Sequence, residues 1–169
     1  DELQSGDAVA VNSPYPAGPG HLNDLCLISP IFFEGKMIAI TANQAHHVDM
    51  GGFAPGSMPF GVTEIFQEGL QIPPIRLFRK GKIEPELWAI IEQNVRARVE
   101  MRGDLHAQLA ANNVGERRLT ELSRKYGVET VERYLDEMLN YSERRMRAAL
   151  ATIPKGVYKA EDSIEWLCS

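Results

Sequence analysis

Leu25 to Phe33 reads LCLISPIFF, and after Glu34-Gly35 the chain continues from Lys36 to Ala42 as KMIAITA. The first run is nearly continuous in apolar residues, too short for most helices and rich in strand formers. A second run of the same kind follows directly after a Glu-Gly pair, which is turn chemistry, so the stretch predicts a β-hairpin. Outward from it, Asp7 to Asn12 (DAVAVN) alternates weakly and suits a strand, and Ile75 to Phe78 suits another, closed by Lys80-Gly81. Eight of the ten prolines and ten of the fourteen glycines fall before residue 82, so short strands and ordered loops are expected there.

Beyond residue 82 the pattern becomes helical. Glu84-Pro85-Glu86 places proline and acids in a first turn, and Leu87, Trp88, Ile90, Ile91 and Val95 follow at mixed three-to-four spacing. A second helix is expected from about Val99 to Tyr126, interrupted or kinked near Gly103 and Gly115, and ending at Gly127. A third covers about Val128 to Leu150, with Val131, Leu135, Met138, Leu139 and Met146 on one apolar stripe. Gly156 to Trp166 resembles the opening of a further strand. Strands first and helices second is an α+β arrangement, not the alternation of a doubly wound sheet. The expected divisions are a strand and loop region over 1–82, a helical region over 83–155, and a strand opening over 156–169.

The chain has 169 residues, with 44% hydrophobic and 24% charged, enough to fill a core. A net charge of -5 with no basic tract argues against nucleic acid or an anionic membrane surface as a partner. No apolar run approaches the roughly 18 residues that a bilayer span requires. Cys26 and Cys168 have neither metal-like nor disulfide-like spacing, so a reduced, cytoplasmic protein is expected, with Cys26 as a buried structural residue. The opening Asp1-Glu2-Leu3-Gln4 has no signal-peptide pattern and reads as the start of a fragment or a processed product.

Three of the four histidines lie between residues 21 and 47, in Gly20-His21-Leu22-Asn23-Asp24 and in Ala45-His46-His47-Val48-Asp49-Met50-Gly51-Gly52. The two outer ends of a hairpin meet. Asp24 just precedes the first strand and His46 just follows the second, so these two side chains should be neighbours. Imidazole and carboxylate converging on glycine-rich loops suit Zn, Mn or Fe. The alternative is a local turn hydrogen bond between His21 and Asp24, with His46 merely packed. In extended chain His46 and His47 point to opposite faces, whereas His47 and Asp49 share one. Only one of the adjacent histidines can then join His21 and Asp24, leaving the other to support the ligands or meet substrate. Gly51 to Pro59 lacks the Gly-Lys-Ser/Thr ending of a phosphate-binding loop, and Ser57 is a weak candidate nucleophile. Thr63 to Gly69 (TEIFQEG) carries two carboxylates, either of which could act as a base. His106 and the run Glu143-Arg144-Arg145 are expected on solvated helix surfaces.

Taken in order, Asn12-Ser13-Pro14-Tyr15, His21-Leu22-Asn23-Asp24, Ala45 to Gly52, Pro55-Gly56-Ser57, Thr63 to Gly69, Gly103-Asp104-Leu105, Ala107-Gln108, Gly115-Glu116-Arg117-Arg118 and Tyr141 to Arg145 resemble the hydantoinase B/oxoprolinase family. That family comprises the B-type subunits of N-methylhydantoinases and 5-oxoprolinases and the related large subunits of acetone and acetophenone carboxylases. The resemblance runs over nearly the whole chain, and family subunits are several times longer, so this would be an interior segment. It implies one divalent metal on the residues matching His21, Asp24 and His46; beside that metal, His47, Asp49 or Glu64 is expected to relay the proton. It implies ATP used by an A-type partner subunit of actin/sugar-kinase-like fold, and accordingly no ATP motif here. The activity implied is hydrolytic opening of hydantoin- or 5-oxoproline-like cyclic amides; ketone carboxylation is the alternative. A third reading is a structural or interaction segment, inactive and poorly folded alone because its sheet edges would be open. Two departures stand out. Ser13 replaces the usual Asp of Asn-Asp-Pro-Tyr, and the loop before His21, with Pro16 and Pro19, is about one residue longer than usual.

Overall fold

The computed structural model describes residues 2–15 and 18–163. Two compact units are present, Asp1–Glu121 and Leu122–Ser169. The first holds an antiparallel sheet of five strands: β1 (Ala8–Val11), β2 (Asp24–Phe33), β3 (Lys36–His46), β4 (Ile75–Arg79) and β5 (Lys82–Ile83), in the order β3-β2-β1-β4-β5. Three helices follow: α1 (Pro85–Asn94), α2 (Arg98–Tyr126), which runs on into the second unit, and α3 (Val128–Ala151). Strands followed by helices make the α+β class expected of the sequence.

Both hairpins turn on two residues in left-handed backbone. These are Glu34 (φ 50) with Gly35 (φ 79), and Lys80 (φ 50) with Gly81 (φ 75). Positive φ at both central positions is the type I′ pattern, whose twist matches the flanking strands. The β2–β3 hairpin is the longer one, and its register runs from Phe33↔Lys36 at the turn to Asp24↔His46 at the open end. Strand β3 therefore extends four residues beyond Ala42, through Asn43 and Gln44, which are poor strand formers. Tertiary contacts override that propensity. The Asn43 amide donates to the Gln108 carbonyl at 2.9 Å and to Asn112 Oδ1 at 2.7 Å, holding β3 against α2.

Burial alternates along the central strands. Ala8, Ala10, Leu25, Leu27, Leu77 and Phe78 are buried and belong to one core with Trp88, Ile91, Met101, Leu105 and Leu109 of α1 and α2. The intervening Val9, Val11, Asp24, Cys26 and Ile28 are only half-buried. One face of the sheet is thus roofed by helices, and the other is open.

Helix α2 is uninterrupted through Gly103 and Gly115, where a break was expected. Gly115 serves close packing instead: a Cβ there would come within 3.0 Å of Thr41 Oγ1 on β3. In the second unit, Leu135, Met138, Leu139 and Met146 of the α3 stripe are exposed, and no residue of α3 is buried. Residues 156–163 carry no regular structure, and 164–169, the rest of the segment read as the opening of a further strand, lie outside the described residues. No helix among the described residues is long and apolar enough to cross a membrane.

Candidate metal centre

The open end of the long hairpin carries the site. Asp24 and His46 are paired residues on β2 and β3, and their side chains share the open face. His21 reaches them from a turn in which the Asp24 amide donates to the His21 carbonyl at 3.0 Å. Leu22 and Asn23 inside that turn are buried, at 1% exposure each, which leaves His21 on its outer side.

His46 Nδ1 lies 3.0 Å from Asp24 Oδ1 and 3.2 Å from His21 Nε2, and His21 Nε2 lies 3.5 Å from Asp24 Oδ1. Three potential ligand atoms therefore form a small triangle. A single proton on His46 Nδ1 cannot satisfy all three edges, whereas a cation can. Neighbouring ligands around an ion with bonds of ~2.0–2.2 Å stand roughly 3.0–3.5 Å apart, so the donor set fits a divalent metal in both spacing and chemistry. The three side chains are 33%, 21% and 58% exposed, so the cluster is accessible from solvent.

The loops around the triad are held by buried amides whose part the sequence did not reveal. Asn12 donates to the Leu22 and Leu70 carbonyls at 2.8 and 2.9 Å and accepts from the Ile72 amide at 2.6 Å. Asn23 donates to the carbonyls of His47 and Gly56, at 2.8 and 3.1 Å. Their position in the recurring Asn12-Ser13-Pro14-Tyr15 and His21-Leu22-Asn23-Asp24 stretches was the available signal, since buried asparagine costs free energy unless its hydrogen bonds are met.

The residues expected to relay protons sit apart from the triangle. His47 is fully buried on the helix side of the sheet, as alternation from His46 requires. Gln108 spends its Nε2 on Leu25 O and Asn43 Oδ1, so its Oε1 accepts from His47 Nε2 at 3.0 Å and fixes the imidazole tautomer. Burial holds the His47 pKa down, only partly offset by Gln108. His47 therefore braces the end of β3 instead of facing solvent.

Asp49, 3% exposed, accepts from the amides of Gly51, Gly56 and Arg96 and from the Arg96 guanidinium, all at 2.9 Å. Burial pushes its pKa up, but the three amides and the guanidinium outweigh that and keep it low. A carboxylate so fully engaged anchors the 49–57 loop and is a poor base. Glu64 is exposed and caps a short turn at Ile65–Gln67, its side chain accepting from the Gln67 amide. Ser57 is likewise engaged: its hydroxyl accepts from Met50 N at 2.7 Å and donates to Gly51 O at 2.8 Å.

Glu68, the second acid of Thr63 to Gly69, is the one that shares a cleft with His21. That cleft, of about 280 Å³, is lined by His21, Ser57, Met58, Pro59, Phe60 and Glu68. A larger one of about 660 Å³ begins one residue pair along the open face, at Cys26 and Gln44. Cys26 is therefore half-buried in a cleft wall, not in the core as expected; its thiol donates to Gln44 Oε1 at 3.4 Å. Burial and the neighbouring Asp24 charge push the thiol pKa up. The apolar run around it misled because the open face is itself partly apolar. Cys168 lies outside the described residues. His106 is exposed, as expected, and bonds within its own helix to Arg102 O at 2.8 Å.

Known proteins resemble this chain in sequence and in fold. The chain is 36% identical to the caprolactamase beta chain of Pseudomonas jessenii and 36% identical to a putative D-/L-hydantoinase of the B type from a Pseudomonas species, each over 98% of its length. It spans 28% of each of those relatives. The crystal structure of the ATP-dependent caprolactamase from Pseudomonas jessenii superposes with a TM-score of 0.84 at 37% identity, covering 92% of this chain and 27% of that one. The family model described as hydantoinase B/oxoprolinase matches residues 1–167. This chain belongs to the hydantoinase B/oxoprolinase family.

Proposed function

We propose that this chain forms the metal-binding part of a catalytic subunit that opens cyclic amides hydrolytically, with ATP consumed by a partner subunit. The observation that carries the reading is the convergence of His21, Asp24 and His46 atoms within 4.8 Å of one another, beside two open clefts, in a chain of this family. Hydrolysis is preferred to ketone carboxylation because the relatives above bear the names of enzymes acting on cyclic amides.

A divalent ion bound there would lower the pKa of a coordinated water and polarise an amide carbonyl. The chain's own residues supply the rest. His21, Asp24 and His46 would hold the ion at the hairpin end, and the buried His47–Gln108 bond ties the end of β3 to α2 beside them. In this reading Glu68, which lines the smaller cleft with His21, accepts a proton from the attacking water and returns it to the departing ring nitrogen. ATP is used, in this reading, by a partner of the A type, in keeping with the ATP-dependent caprolactamase that this chain resembles.

The test is ring opening by the purified native assembly, supplied with ATP and a panel of lactams, hydantoins and 5-oxoproline. The expected result is turnover of at least one cyclic amide that disappears on chelation and in Asp24→Asn, and slows on Glu68→Gln. Turnover of acetone or acetophenone with bicarbonate, and of no cyclic amide, would replace this reading with the carboxylase one.

A further inference from the structure

The larger cleft lies on the same sheet face as the triad. Cys26↔Gln44 is the next residue pair on that face after Asp24↔His46, about 7 Å along the strands. Its volume of about 660 Å³ falls in the range of small-molecule sites. Val11, Ile28, Pro73 and Pro74 make the walls apolar, and Gly18 narrows one side by lying directly on the Ser13 carbonyl, where any Cβ would clash. No charged side chain is among the described residues that line it.

Two consequences follow for what can bind. An ionised carboxylate brought into this cleft would lose water and meet no guanidinium or ammonium among the described lining residues, which is strongly unfavourable. An amide carbonyl fares better. Because Gln44 Oε1 already accepts from the Cys26 thiol, its Nε2 is left to donate to a ligand. We propose that this cleft takes the hydrocarbon ring of a neutral cyclic amide, its carbonyl directed along β3 from Gln44 toward the triad, and discriminates against rings carrying a carboxylate. This rests on the ring-opening reading above and adds to it the class of substrate.

Cys26 makes the proposal testable by binding alone. In the native assembly without ATP, Cys26 alkylation by iodoacetamide is followed by peptide mass spectrometry, with ε-caprolactam or 5-oxoproline added at equal concentration. The expected result is at least a tenfold slowing by saturating caprolactam and no slowing by 5-oxoproline. In Gln44→Arg, at an exposed position and with folding checked by circular dichroism, the order of protection should reverse. Protection by 5-oxoproline equal to or stronger than that by caprolactam, or no protection by caprolactam, would overturn the assignment. Protection by caprolactam in an assembly that turns over no cyclic amide would leave the cleft assignment standing and remove the ring-opening reading. Turnover of 5-oxoproline alone, with Cys26 protected by it, would do the reverse.

Discussion

Strands β2 and β3 present two faces built from alternate residues of the same twenty-odd positions. Leu25, Leu27, Asn43 and His47 turn toward the helices, where the leucines pack in the core and Asn43 and His47 hydrogen-bond to α2. Asp24, Cys26, Gln44 and His46 turn the other way, Cys26 and Gln44 into the larger cleft, and carry the groups suited to chemistry. A one-residue step separates a structural imidazole, His47, from a ligand-like one, His46. The period of two lets a single hairpin supply stability on one side and reactivity on the other without compromise between them.

That division predicts separable effects. The largest belongs to the open face. His46→Ala or Asp24→Ala should weaken divalent-metal binding by more than about 100-fold, beyond what loss of an outer hydrogen bond typically does. The thermal midpoint of the metal-free protein should barely move, and calorimetric titration beside a melting curve checks both. A fall in stability as large as that of a core variant would blur the two faces.

The next effect belongs to the covered face. Leu27 is completely buried, and Leu27→Ala should cost about 2–5 kcal/mol in chemical denaturation. Metal affinity of the molecules still folded should stay near wild type.

Asp49 sharpens the comparison through pH. Its pKa is lowered in the folded state, so its contribution is complete above the unfolded value of ~3.9 and is lost as pH falls through the lower folded value. Asp49→Asn should cost roughly 1–3 kcal/mol at neutral pH and flatten the fall of the urea midpoint below about pH 4. An unchanged acid limb would mean that the lowered pKa of Asp49 contributes nothing to stability.

How far the sequence disclosed these features depends on the range of the interaction involved. The hairpin was legible because two apolar runs and a Glu34-Gly35 turn are local signals, and the meeting of Asp24 with His46 followed from antiparallel geometry alone. The opposite orientation of His46 and His47 followed from strand period. What was hidden depended on distant partners. Asp49 looked like a free acid because nothing local announces that Arg96 and two loop glycine amides will converge on it. Glu64 and Glu68 were indistinguishable until the short turn at Ile65–Gln67 sent one to a capping role and the other to the cleft. Gly103 and Gly115 suggested a broken helix because glycine's helix cost is local, while the close approach of Thr41 to Gly115 is not.

The smallest expected effect follows from that pair of acids. Glu64→Gln should change stability by less than about 0.5 kcal/mol and leave ring opening intact, as for an exposed surface residue. A loss of turnover in Glu64→Gln with none in Glu68→Gln would exchange their proposed roles.

X-ray absorption at the metal edge, on the native assembly purified without chelator, tests the metal centre most directly. One divalent ion per chain is predicted, with two imidazole nitrogens and at least one oxygen in its coordination shell, reduced to a single imidazole in His21→Ala. Absence of a stoichiometric ion, or an imidazole count unchanged by loss of His21, would contradict the assignment.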